Sequence, residues 1–239
     1  MVSHKEKEAR KRNRAKKVAS QKPTKSMSTG TKIGIGAIVI IIAIFLFTRF
    51  DSGVAINENF DELTLTTISE LDHVKGNPNG QVLIIEYSDF ECPACKSYEP
   101  LLDQIIDTYG DDVAMVYRHF PLKQIHRNAV AAARASEAAA NQSMFWEYHD
   151  ILFDKQSEWS EFANPTPKFM EYAQELNLDM DQFETDYSSS YVKSKVEYMY
   201  NDAISRNLRG TPSIFLNGNP VVGVSSYDDL ARQVERVIR

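Results

Sequence analysis

Val82-Leu83-Ile84-Ile85-Glu86-Tyr87-Ser88-Asp89-Phe90-Glu91-Cys92-Pro93-Ala94-Cys95 decides the fold. Val82, Leu83, Ile84 and Ile85 are four consecutive apolar residues, three of them β-branched, and they read as a buried strand running into a short loop. The loop delivers two cysteines, three positions apart, onto a helix start. Pro93 fits the first helical turn, where its missing N–H removes no hydrogen bond. From Lys96 to Tyr109 the apolar residues Tyr98, Leu101, Leu102, Ile105 and Ile106 keep an amphipathic helical spacing. A thiol at a helix N-terminus meets unpaired backbone N–H groups and the positive end of the helix dipole, both of which favour thiolate. Thiolate is the form that reacts in disulfide exchange, so the stretch points to redox chemistry.

Outward from this stretch the pattern continues as strand and helix. Gly76-Asn77-Pro78-Asn79-Gly80 is a dense turn signal before the strand, and Leu63 to Ile68 reads as a short edge strand. Tyr109-Gly110-Asp111-Asp112 closes the first helix, and Val113 to Tyr117 is a second buried strand, with Arg118 to Leu122 leaving it. Strand, helix, strand with this crossover length predicts a parallel βαβ unit. Helical patterns then occupy Ala129–Ala140, Met144–Phe153, residues 168–176, Asp179–Tyr187 and Tyr191–Asn207. Ser213 to Asn217 is a strand, Gly218-Asn219 a hairpin signal, Pro220 to Val224 the returning strand, and Tyr227 to Ile238 a closing amphipathic helix.

The chain has 239 residues, 43% of them hydrophobic, enough for one sizeable core with additions. Its net charge of −6 is unevenly spread: residues 1–32 hold eleven Lys/Arg against two Glu, a balance of +9 that leaves −15 for the rest. Between the basic arm and the acidic body, Ile33 to Thr48 carries no charge and is bounded by Lys32 and Arg49. At helical rise these residues span about 24 Å, and snorkelling Lys and Arg extend the reach toward a hydrocarbon core of roughly 30 Å. An uncleaved anchor over 33–49 is preferred to a cleaved signal peptide, because the preceding region is long and the small-residue site Gly53-Val54-Ala55 is weak. The positive-inside rule then places 1–32, a disordered tail, in the cytoplasm. Residues 50–70 are a linker and lead-in, and residues 71–239 form the outer domain. The basic arm abuts the lipid-facing segment and has no folded reader beside it, so no nucleic-acid partner is expected.

Both cysteines of the chain lie in the one CxxC. An exported domain with no other cysteine does not use disulfides as scaffolding, and a closed four-residue loop removes only about 2 kcal/mol of unfolded-state entropy. A zinc site lacks ligands: His119 and His126 are the nearest candidates and do not complete a set. Trp146 and Trp159 read as core, and Asn141-Gln142-Ser143 is a glycosylation sequon by pattern alone.

Phe90-Glu-Cys-Pro-Ala-Cys95, Tyr117-Arg-His-Phe-Pro-Leu122, the Ala-rich run into Phe145-Trp146, and Gly210-Thr-Pro-Ser-Ile-Phe-Leu-Asn-Gly218 together resemble the DsbA-like thiol–disulfide oxidoreductases. The resemblance covers about residues 70–238. It implies an α/β thioredoxin fold with an inserted helical subdomain at about 124–208, here preceded by a single N-terminal transmembrane helix. It implies that Cys92 is the exposed attacking cysteine, Cys95 the resolving one, and that the two form the resting, redox-active disulfide, with no other cofactor. Pro212 matches the family's cis-proline, setting the carbonyl and N–H of Thr211 toward a bound peptide. Glu86, six residues before Cys92 on a strand covered on both faces, is a candidate proton relay for Cys95, with a half-exposed strand-end charge as the alternative. The implied partners are reduced or unfolded exported proteins, a membrane oxidase that regenerates the disulfide, and the bilayer through residues 33–48. The chain is read as a monomer, at the cell membrane, with its catalytic domain in a periplasm or cell-wall space. Three activities remain open: dithiol oxidase, the leading one; reductase or isomerase; and a redox-inert peptide-binding module. The Pro-Ala dipeptide departs from the Pro-His of the best-known oxidases of the family, and no tryptophan precedes Cys92 as it does in thioredoxin-type reductases.

Overall fold

The computed structural model describes residues 60–239. The basic arm, the apolar segment 33–49 and most of the lead-in lie outside the described residues, and among the described residues no helix is long and apolar enough to cross a membrane. The strands are β1 (His73–Gly76), β2 (Val82–Ser88), β3 (Val113–His119), β4 (Ser213–Leu216) and β5 (Asn219–Pro220). The helices are α1 (Pro93–Tyr109), α2 (Ala129–Ala140), α3 (Phe145–Asp154), α4 (Gln156–Trp159), α5 (Thr166–Glu175), α6 (Met180–Ser188), α7 (Ser190–Ser205) and α8 (Tyr227–Ile238). The sheet order is β1-β3-β2-β4-β5. β2 and β3 run parallel, Val82 opposite Val113 through Ser88 opposite His119, while β1 and β4 add antiparallel on either side. This is a thioredoxin-like α/β fold in which α2 to α7 form the helical insertion between β3 and β4.

β2 and β3 are buried along their whole length, as expected of strands covered on both faces. On one face Val82, Ile84, Val113, Met115, Ile214 and Leu216 pack beneath Leu102 and Ile105 of α1 and Leu230 and Val234 of α8. On the other, Leu83, Ile85, Tyr87, Val116 and Phe215 pack against Ala203 of α7. A third core fills the insertion, and it is this one that takes in Phe90, Cys92, Cys95 and Tyr117.

Three expectations are corrected. Leu63–Ile68 is not a strand: the Thr64 hydroxyl accepts hydrogen bonds from the N–H of Thr66 and Thr67 and curls the backbone into a local turn. The edge strand is β1, whose pairing partner is β3. β3 also runs two residues further than expected, to His119, because both extra side chains are held inside: Arg118 by Asp72 and His119 by Glu137. The hairpin turn sits one residue earlier than expected, on Asn217 and Gly218, whose φ values of 47° and 82° suit a two-residue turn of type I′. Beyond it the returning strand shortens to Asn219–Pro220, since Pro220 has no N–H to extend the ladder.

Arg118 and Asp72 form a fully buried bidentate pair, Nε to Oδ1 at 2.9 Å and Nη2 to Oδ2 at 2.8 Å, with both side chains 0% exposed. Removing one partner strands the other charge away from water. Asp72→Ala is therefore expected to lower unfolding stability by about 3–5 kcal/mol in a denaturant titration, against about 0.5 kcal/mol or less for the exposed Glu161→Ala. A loss below about 1 kcal/mol for Asp72→Ala would show that the pair does not clamp β3 to the lead-in.

Candidate active site

Cys92 is the N-cap of α1, with extended backbone (φ −76°, ψ 121°), and Pro93 takes the first helical position. The loop that presents it is tied down by side chains on both sides. Asp89 accepts from the N–H of Glu91 and Leu122, each at 2.8 Å, and pairs with His126 Nδ1 at 2.7 Å. The Glu91 carboxylate accepts the Asn128 N–H at 2.7 Å, at the start of α2. Gln156 Nε2, from the short helix α4, donates to the carbonyls of Phe90 at 2.7 Å and Cys92 at 3.1 Å.

Cys92 was expected to be the exposed sulfur. It is the more open of the two, but only 7% exposed against 0% for Cys95, while Pro93 and Ala94 between them face solvent. Both are free thiols, so the structure describes the dithiol form. The Thr211–Pro212 bond is cis, as the resemblance implies, and the Cys92 thiol donates to the Thr211 carbonyl at 3.5 Å. Thr211 and Cys92, 119 residues apart in sequence, thus meet at the helix tip.

The acidities of the two sulfurs are driven apart. Cys92 is lowered to a pKa of about 5, chiefly because its thiolate accepts a hydrogen bond from the Cys95 thiol; burial opposes this, and the Thr211 hydroxyl and the N–H groups of Cys95 and Ala94 add to it. The Thr211 hydroxyl is buried with no other partner, so the thiolate is the acceptor available to it. Cys95 is pushed far upward by burial, by its bond to Cys92 and by the charge of Glu86. Glu86, fully buried at the β2 position opposite Tyr117, is raised to about 7, mainly by burial, and neither of its oxygens has a hydrogen-bond partner. The nearby Ser88 hydroxyl opposes that rise without closing a bond of good geometry, and Cys92 thiolate reinforces it. The half-exposed alternative for Glu86 is thereby ruled out.

Three residues of this neighbourhood went unread in the sequence. Glu99 lies one helical turn beyond Cys95, a spacing that puts both on one face of α1 and was legible in principle. Burial raises its pKa well above the carboxylate range and the charge of Glu86 adds to this, while its Oε2 stands 3.4 Å from His149 Nε2 at the edge of a cavity of about 280 Å³. His149 is held neutral by burial despite its bond to Asp150. Gln156 carried no signal, because a four-residue helix has no readable period. His119 and His126, weighed as metal ligands, face different carboxylates, Glu137 and Asp89.

The family model described as Thioredoxin matches residues 69–236. Among curated proteins, a protein named Na(+)/H(+) antiporter NhaA 1 of Mycolicibacterium gilvum is 39% identical over 170 residues, covering 70% of this chain and 26% of that one. The Na(+)/H(+) antiporter NhaA of Herminiimonas arsenicoxydans is 38% identical over 169 residues, covering 71% and 25%. The chain spans about a quarter of the length of the curated relatives it matches. Among solved structures, oxidised BdbD from Bacillus subtilis superposes with a TM-score of 0.64 at 22% identity, covering 74% of this chain and 98% of that one. Wolbachia pipientis α-DsbA1 gives 0.64 at 20%, covering 72% and 94%. A thioredoxin-like oxidoreductase from Silicibacter pomeroyi gives 0.62 at 24%, covering 74% and 98%.

Alkylation of the reduced protein is expected to titrate with a midpoint of about 5. At pH 7 Cys92 is then almost wholly thiolate, against roughly 3% of a free cysteine, so its alkylation rate is flat from about pH 7 to 9 while that of a free cysteine still climbs, and Cys95 does not react; a midpoint above about 8 would contradict the geometry. Glu86 gives a second test with its own sign. A carboxyl whose folded pKa is raised from 4.5 to about 7 costs stability that appears as pH climbs between those values. Glu86→Gln should therefore gain on the parent by on the order of 3 kcal/mol between pH 4 and pH 8, measured by denaturant unfolding at each pH. A pH-independent difference would show that Glu86 is not the buried acid.

Proposed function

The chain belongs to the thioredoxin family, with the fold of the DsbA-like thiol–disulfide exchange proteins, and from that premise we propose that it is a dithiol oxidase for exported proteins, tethered to the membrane by residues 33–49. The observation that carries this is the placement of the dithiol: Cys92 caps α1 beside the Thr211 carbonyl while Cys95 is fully buried, an arrangement that splits their acidities, lowering Cys92 to about 5 and keeping Cys95 protonated.

Oxidation of a substrate follows from that split. A substrate thiolate attacks Cys92 Sγ, the Cys92–Cys95 bond breaks, and its electron pair goes to Cys95 Sγ. Cys95 is too buried to leave comfortably as an anion, so it takes a proton; Glu86, with a pKa near neutrality and an unpartnered carboxyl, is the group placed to give it. A second substrate thiolate then attacks the substrate sulfur of the mixed disulfide and expels Cys92. Low pKa makes Cys92 a good leaving group, and the same stabilisation of the thiolate makes the dithiol form easy to reach. The substrate leaves with a new disulfide, and two electrons remain on Cys92 and Cys95. A membrane oxidase of the kind implied by the resemblance removes them. Thr211 and Pro212, beside Cys92, are the backbone edge against which the substrate chain is held during both attacks.

The membrane tether is supported by the uncharged run of Ile33 to Thr48 and by the basic arm that precedes it. That comparable stretches occur within named membrane antiporters fits a domain working close to a bilayer. Ion transport itself is not proposed, since this chain spans only a quarter of those proteins.

Added in stoichiometric amount in its disulfide form, the protein is expected to accelerate oxidative refolding of a reduced multi-cysteine substrate, and Cys92→Ser to abolish this. Its dithiol potential should lie well above the roughly −270 mV of a thioredoxin. A value as reducing as that, or rescue of scrambled substrate without net oxidation, would assign it to reduction or isomerisation instead.

A further inference from the structure

Outside the dithiol, the strongest unexplained contact at the site comes from the helical insertion. Gln156 is 8% exposed, and its amide nitrogen spans two backbone carbonyls of the cysteine loop, Phe90 at 2.7 Å and Cys92 at 3.1 Å. The Cys92 carbonyl already accepts the first bond of α1, from the Lys96 N–H at 3.2 Å, so helix geometry does not require a second donor there. The Phe90 residue is 1% exposed, and no other donor reaches its carbonyl among the described contacts. α4 itself is only four residues long, and its other inward residue, Trp159, is fully buried in the insertion core and bonded to the Leu152 carbonyl. Gln156 is thus the one side chain of that helix that reaches back to the cysteine loop.

We propose that Gln156 is a positioning residue for the reactive sulfur: by donating to the Phe90 and Cys92 carbonyls, it holds the loop so that Cys92 Sγ stays within reach of its donors at the tip of α1, and it offsets two backbone dipoles that would otherwise oppose the thiolate. The carbonyl of Cys92 belongs to the same residue as the sulfur, and that of Phe90 lies two residues before it. Each is the negative end of a peptide dipole in a site of low polarity, where such partial charges act strongly. A neutral amide that places its N–H groups on both removes that opposition without adding charge. The insertion therefore does more than cover the domain: through Gln156 it sets the acidity of a residue that belongs to a different structural layer. The inference rests on the reading of Cys92 as the attacking thiol, and its test separates the two.

The full chain, purified in detergent and reduced, is titrated by thiolate absorbance and by alkylation rate, in parent, Gln156→Leu and Gln156→Glu forms. Leu keeps most of the side-chain volume and removes the donors; Glu keeps the shape and replaces the amide NH2 with an acceptor oxygen. Both are expected to raise the Cys92 midpoint by about half a unit or more, a threefold or larger loss of acidity, and to shift the dithiol potential in the reducing direction. Glu serves alone where Leu does not fold. If the folded variants keep the parental midpoint and lose only melting temperature, Gln156 is a packing residue and the inference falls. If the parent itself titrates like a free cysteine, the functional reading fails first, independently of Gln156.

Discussion

The chemistry of this site depends on one protonated sulfur stabilising the negative charge of its neighbour. Cys95 S–H is the largest single stabiliser of the Cys92 thiolate, and it can play that part only while it stays protonated. The fold ensures this by burial: Cys95 faces the sheet from the first turn of α1 and sits in the same core as Phe90 and Tyr117. Exposing Cys95 would let both thiols ionise and repel each other. The difference in cover between two residues one helical turn apart, 7% against 0%, is what the surrounding structure maintains.

Two layers share that task. The thioredoxin-like sheet supplies the floor, with Glu86 and Tyr117 opposite each other on adjacent parallel strands. The insertion supplies the wall. Phe90 stacks on Tyr117 with centroids 5.0 Å apart, and Phe153 and His149 of α3 close against it at 5.0 and 5.6 Å. These aromatics exclude water from Cys95 and Glu86, so the carboxyl is raised toward neutrality and the thiol is kept neutral. The buried Glu137, held by Lys195 at 2.7 Å and by His73 and His119 at 2.9 and 3.0 Å, ties α2 and α7 of the insertion to β1 and β3 of the sheet. The wall is thereby fixed to the floor.

Much of this was legible in the sequence because it depends on local rules. A β-branched run, a proline after a cysteine and an amphipathic period are enough to place Cys92 at a helix tip above a buried strand. Glu86 was legible for a related reason: a charge inside an apolar strand covered on both faces has nowhere to go but inside. The misses are places where a non-local partner decides. His73–Gly76 has no strand-like composition, and only pairing with β3 makes it one. Leu63 to Ile68 has the composition but spends its backbone donors on the Thr64 hydroxyl. Gln156 is polar, isolated and 64 residues from Cys92, and its role exists only once the insertion is folded against the loop.

The Pro93-Ala94 pair shows what acidity requires at such a site. Neither residue carries a charge or a side-chain donor, and both face solvent. The Cys92 pKa is nonetheless lowered to about 5, because the stabilising groups lie elsewhere: the Cys95 thiol, the Thr211 hydroxyl and the N–H groups of Ala94 and Cys95. Two of these are backbone and cannot be removed by changing side chains. A third comes from the loop before β4, at the far end of the insertion. A histidine between the cysteines would add a donor to a set already sufficient to hold the thiolate. Its absence leaves the two residues between the cysteines uncharged, so the acidity of Cys92 is set by groups of the fold around the sulfur rather than by a fixed positive charge beside it.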